Sequence, residues 1–150
     1  MLDSTMPDKY IQSRSLGASG VHKYLPQVIK EAIADDIFYS WNVIDENYTI
    51  ITNELLCTVK IAYQPNYPDA SEYICTGSAA TPIQMESQSK ISDFPLKKKK
   101  NALEYNAPSV RTEAIGNAFN LLGNIFGRNL SRKLNSSHAV SPSFKMRKHE

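Results

Sequence analysis

Between Asn106 and Lys133 the chain reads NAPSVRTEAIGNAFNLLGNIFGRNLSRK, and this stretch limits the possible folds more than any other. Ile115, Ala118, Phe119, Leu122, Ile125 and Phe126 recur at the i, i+3, i+4, i+7 spacing of one helical face. Val110 and Arg111 extend that stripe backwards, while Thr112, Glu113, Asn117, Asn120 and Asn124 form a polar, nearly uncharged opposite face. Pro108 fits a first helical turn, where its missing N–H would go unsatisfied anyway. Gly127 predicts the stop. Beyond it lie Arg128, Arg132 and Lys133, cations of the kind favoured at a helix C-terminus. Gly116 and Gly123 each cost about 1 kcal/mol against alanine inside a helix. A helix carrying both predicts close packing on a sheet or a second backbone.

The preceding sequence supplies that sheet. Leu55 to Tyr63 alternates, with Leu55, Cys57, Val59, Ile61 and Tyr63 on one side and Thr58 and Lys60 on the other, the pattern of a strand with one buried face. QPNYPDAS is a turn, and residues 72–78 read as the returning strand, ending in the small residues Gly77, Ser78, Ala79 and Ala80. Such a run lets another backbone come close. Residues 41–53 read as two short strands, WNVI and YTIIT, around a DEN turn. Residues 24–39 read as a core helix, with Leu25, Val28, Ile29, Ala32, Ile33 and Ile37 facing inward. The predicted class is α+β: a small antiparallel sheet of three to four strands packed against a long C-terminal helix and an N-terminal helix. Residues 1–20, which include GASG, read as a flexible arm, residues 21–133 as one core domain, and residues 134–150 as a disordered basic tail.

Charge is distributed unevenly. Residues 1–96 hold six Lys/Arg and twelve Asp/Glu; residues 97–150 hold eleven and three. An acidic body with a basic final third is the footprint of a polyanion binder. Lys97 to Lys100 cannot all face inward, so they predict an exposed basic loop just before the key helix.

Chemistry of other kinds finds little support. The sequence has no GxxxxGK[ST], G-x-G-x-x-G or G-x-S-x-G, and His22, His138 and His149 fall outside any ligand spacing. Cys57 and Cys75 make no metal pattern and read as free thiols, although a disulfide between them stays open. A nuclease would need convergent carboxylates for Mg²⁺, and Asp45, Glu46 and Glu54 are the only candidates near the first hairpin. No apolar run approaches the roughly 18 residues of a membrane span, and no secretory leader is legible, so a cytoplasmic, DNA-associated location is expected.

The segment VRTEAIGNAFNLLGNIFGRNL resembles the closing helix of Rad-fifty-two-type single-strand annealing proteins, including the phage Sak branch. The likeness rests on Glu113-Ala114-Ile115 leading to Phe126-Gly127 and Leu130, with FGRNLSRK resembling the phage and bacterial branch. It extends to WNVI, LLCTVKIAY and EYICTG, spanning about residues 22–133. It implies a β-β-β-α core that assembles into rings or filaments, holds single-stranded DNA in a basic groove, and anneals strands without ATP or any cofactor. Arg111 matches a basic position before the Glu-Ala start, and Lys97, Lys98, Lys99 and Lys100 fall where a groove residue lies. Asn120, Leu121 and Asn124 stand where eukaryotic members carry a basic cluster, so the cations are expected at Arg128, Arg132, Lys133 and the lysine run.

The resulting expectation is a non-enzymatic, homo-oligomeric DNA-binding protein of recombination and repair. Its expected contacts are Lys23, Lys60, Lys97, Lys98, Lys99, Lys100, Arg111, Arg128, Arg132 and Lys133; its expected partners are single-stranded DNA, further copies of itself and a single-strand binding protein. A structural or adaptor protein with a nucleic-acid-contacting basic tail is the alternative.

Overall fold

The computed structural model describes residues 6–128 and residue 130. At its centre is β4 (Glu54–Pro65), in which Leu55, Cys57, Val59 and Ile61 are buried while Lys60 stays exposed. The alternation written in the sequence is therefore the alternation of the strand. β3 (Phe38–Ile51) and β5 (Tyr73–Pro82) pair with it antiparallel, giving a sheet of order β3-β4-β5. Across one face, over β4 and β5, lies α2 (Ala102–Asn120); α1 (Gln27–Ile37) packs against the start of β3 and against α2. The class is α+β, and the order β3-β4-β5-α2 is the β-β-β-α succession expected. No helix among the described residues is long and apolar enough to cross a membrane.

α2 seats on the sheet at its small residues. A Cβ added to Gly77 would fall on the carbonyl oxygen of Ala114 and the amide nitrogen of Ala118, and lie 2.7 Å from the Ala118 Cβ. Strand and helix backbones thus meet directly, as the Gly-Ser-Ala-Ala run predicts. Two asparagines fix the register of this contact. Asn117 Nδ2 donates to the Ser78 carbonyl at 2.8 Å. Asn106 is buried; its Nδ2 donates to the Pro82 carbonyl and its Oδ1 accepts from the Gln84 amide. Phe119, Phe126 and Val110 complete the core, with Trp41 edge-on to Phe119 at 5.0 Å between ring centroids.

Four readings of the sequence change. First, the end of the stretch read as a flexible arm and the start of the predicted first helix form a hairpin: β1 (Gln12–Ser15) pairs with β2 (Val21–Tyr24), and α1 begins only at Gln27. GASG is its turn, with Gly17 at φ 61° and Gly20 at φ 90°, conformations that side chains disfavour. Second, DEN is not a turn. β3 runs through it as one strand with an irregularity at Ile44, and the reversal comes at Thr52 and Asn53. Third, the buried face of α1 is rotated: Val28 is 70% exposed, whereas Ile33 and Ala34 are buried. Lys30 occupies the inner stripe, packed toward Gly116 of α2. Fourth, α2 begins before Pro108 and ends at Asn120, not at Gly127. The chain turns at Gly123 and passes through a short 3-10 turn, Asn124–Phe126, that returns Phe126 to stack on Phe119 at 5.2 Å. Gly127 does terminate that turn in the left-handed conformation, at φ 83°.

Cys57 and Cys75 are both free thiols. Cys57 faces Ala79 across the ladder and Cys75 faces Ile61, so four residues of strand separate them. That offset is about 13 Å, beyond the reach of a disulfide.

Candidate nucleic-acid interface

The lysine run is held by its backbone. Beyond β5 the chain passes residues 84–86, which pair antiparallel with residues 97–99. Glu86 N donates to the Lys97 carbonyl and Lys99 N to the Gln84 carbonyl, each at 2.9 Å. Lys97, Lys99 and Lys100 are exposed and Lys98 is half-buried. Among the described residues none of the four ammonium groups has an ion-pair partner. The loop leads through Asn101 into the first turn of α2, whose N-terminal amides add partial positive charge beside the lysines. The exposed loop expected from sequence is thus present, and it is anchored rather than free-standing.

Arg111 and Lys60 have a different environment. Arg111 Nε donates to Glu46 Oε2 at 2.5 Å, and both side chains are 40% exposed. This hydrogen bond holds the guanidinium pKa above its ordinary value. Lys60 faces Asp45 at 3.9 Å. The two pairs sit on opposite faces of the sheet. Asp45 and Glu46 are successive residues of β3, so their side chains alternate, Glu46 toward α2 and Asp45 away from it. For the same reason Asp45 and Glu46 do not converge as the metal-binding carboxylates of a nuclease. No group of three His, Cys, Asp or Glu is clustered for a metal ion among the described residues.

The remaining cations are dispersed. Arg128 is exposed just past Phe126, at the C-terminal end of α2, whereas the lysine loop is at the N-terminal end. A helix of 19 residues separates them, about 28 Å. Lys23 is on the β1–β2 hairpin, opposite Ser13. Arg132 and Lys133 lie outside the described residues, as does the segment read as a basic tail. One chain therefore gathers Lys97–Lys100 in one place, sets Arg111 and Lys60 on opposite faces of the sheet, and carries Arg128 and Lys23 on other elements.

A cleft of about 610 Å³ opens between α1, the start of β3 and α2. Glu31, Asp35, Trp41 and Arg111 line it, and Trp41 Nε1 donates to Asp35 Oδ1 at 2.8 Å. Its lining carries both signs of charge, and no local pattern signals it, because its residues come from three separate elements. No family model matches the chain, and no curated protein matches it.

Proposed function

We propose that this protein binds single-stranded DNA without ATP and anneals complementary strands as a homo-oligomer. The observation that carries the reading is the lysine loop: four consecutive cations on a pinned backbone, without carboxylate partners among the described residues. Lysines in this state neutralise phosphates and release counterions, which drives affinity independent of sequence. One chain offers too few cations on one face for a continuous track, so the reading requires copies set side by side, where each added loop acts at high effective concentration. The sheet supports such assembly. β3 and β5 are both edge strands, and β3 exposes Ile44, Tyr48, Ile50 and Ile51 along its length. Two open edges of one sheet allow head-to-tail addition, which closes into rings or extends into filaments.

A salt titration on an oligothymidine tests the binding step. Neutralising about six phosphates should lower affinity on the order of a thousandfold between 50 and 200 mM salt, and a flat response overturns the reading. The home ion pairs of Arg111 and Lys60 favour the rival, an adaptor that touches nucleic acid loosely through its basic tail. Particle size decides: electron microscopy should show rings or filaments for an annealing protein, and a monomer or dimer for the adaptor.

A further inference from the structure

We propose that the β1–β2 hairpin is a second single-stranded DNA contact, an arm that stacks bases on Tyr24 and His22 and takes phosphate with Arg14. This rests on the DNA-binding reading above and assigns it a site distinct from the lysine loop. Across the ladder Gln12 faces Tyr24 and Arg14 faces His22, so these four side chains share one face of the hairpin. The His22 and Tyr24 rings are parallel within 7°, with centroids 6.3 Å apart. Tyr24 Oη donates to Gln12 Oε1 at 3.0 Å, and the Arg14 guanidinium carbon sits 6.0 Å from the centre of the Tyr24 ring. The rings are thus oriented before any ligand arrives, and Arg14 is exposed beside them.

Charge selects the occupant. From Lys9 to Lys30 the chain has four Lys/Arg and no Asp/Glu, a basic segment concealed within a half of the sequence that is acidic in sum. Lys23 adds a cation on the hairpin's opposite face. Aromatic rings interleaved with cations, on a hairpin whose own residues 12–24 include no Asp or Glu, fit an unpaired polynucleotide, whose bases offer π-faces that a duplex hides in its stack. Leu25, the residue after Tyr24, is buried in the core, so the arm has a fixed root.

The test uses the full chain and a fluorescent oligothymidine. Tyr24→Ala should weaken binding about tenfold, whereas Tyr24→Phe, which keeps the ring and loses only the bond to Gln12, should bind as the unaltered protein does. Arg14→Ala should lower the salt slope by about one. Undiminished binding by Tyr24→Ala, or an equal loss in Tyr24→Phe, overturns the stacking arm. Photocrosslinking of the unaltered protein to an oligothymidine carrying a photoreactive base needs no variant. Crosslinks within residues 14–24 are expected. Crosslinks confined to residues 97–100 overturn the arm and leave the lysine-loop reading standing, and absence of any binding overturns both.

Discussion

The seat of α2 on β5 and the lysine loop that leads into α2 are neighbours in the chain and follow opposite rules. At the seat, Gly77 admits no further atom, because the backbone of Ala114 and Ala118 already fills the space. In the loop, backbone hydrogen bonds fix residues 97–99 while their ammonium groups have no ion-pair partner among the described residues. Sequence changes at the first should alter stability, and changes at the second should alter binding. The contrast separates what holds the fold from what the fold displays.

The strongest way to break this contrast is Gly77→Val. A branched side chain there must push α2 off the sheet, since it meets main-chain atoms of Ala114 and Ala118 and the Ala118 Cβ, none of which can rotate aside. The expected cost is at least about 3 kcal/mol, at the upper end for overpacked cores. A urea melt should show it, and a midpoint near that of the unaltered protein would mean that α2 is not seated as described. Phe119→Ala comes next. Phe119 is fully buried between Trp41 and Phe126, so its loss leaves a cavity and should cost about 3–5 kcal/mol in the same melt. Replacing Lys97–Lys100 with alanine should leave the midpoint unchanged. Single-stranded DNA affinity should then fall on the order of tenfold to a hundredfold, and the salt slope by up to about 3, as four phosphate contacts are lost. A shifted melting midpoint in that variant would show that the lysines support the fold after all.

The same contrast explains which features could be read from sequence. β4 was legible because its two faces have different surroundings: Val59 and Ile61 are buried on the face that α2 covers, while Lys60 is exposed on the other. β3 was not, because α2 covers β4 and β5 and leaves β3 largely uncovered. With Asp45, Glu46 and Asn47 all exposed, nothing in residue type separates a solvated strand from a turn. Phe126 fitted the helical stripe of Phe119 and is in the core, yet not on that helix. A continuous helix would carry it about 10 Å past Phe119, and the break at Gly123 folds it back instead. Pro108 marked a helix start by its missing N–H, but Asn106, bonded to Pro82 and Gln84, locks the turn before it onto the end of β5. A tertiary contact thus outweighs the local cost of proline. Lys30 concealed the inner face of α1 in a similar way. Burial lowers its pKa, with Glu113 opposing the shift, and a charged residue does not count as core in a periodicity reading. The lysine loop was legible as exposed. The carboxylates facing Arg111 and Lys60 were not, since sequence does not show which strand residue a cation will meet.

Those carboxylates set the smallest and most discriminating prediction. Arg111 and Glu46 are each 40% exposed, so their ion pair is screened by water, and Arg111→Ala or Glu46→Gln should change stability by less than about 1 kcal/mol. Their effects on binding should diverge. If Arg111 reaches DNA in the assembled protein, it must exchange Glu46 for a phosphate, and the carboxylate competes with the ligand. Glu46→Gln removes the competitor and should tighten single-stranded DNA binding, while Arg111→Ala should weaken it. Asp45→Asn supplies the matched control at Lys60, on the other face of the sheet. Tightening by Glu46→Gln alone would place the DNA track on the α2 face, and tightening by Asp45→Asn alone would place it on the open face. If neither changes affinity, both cations are structural partners of β3, and the lysine loop and the hairpin arm must supply the track.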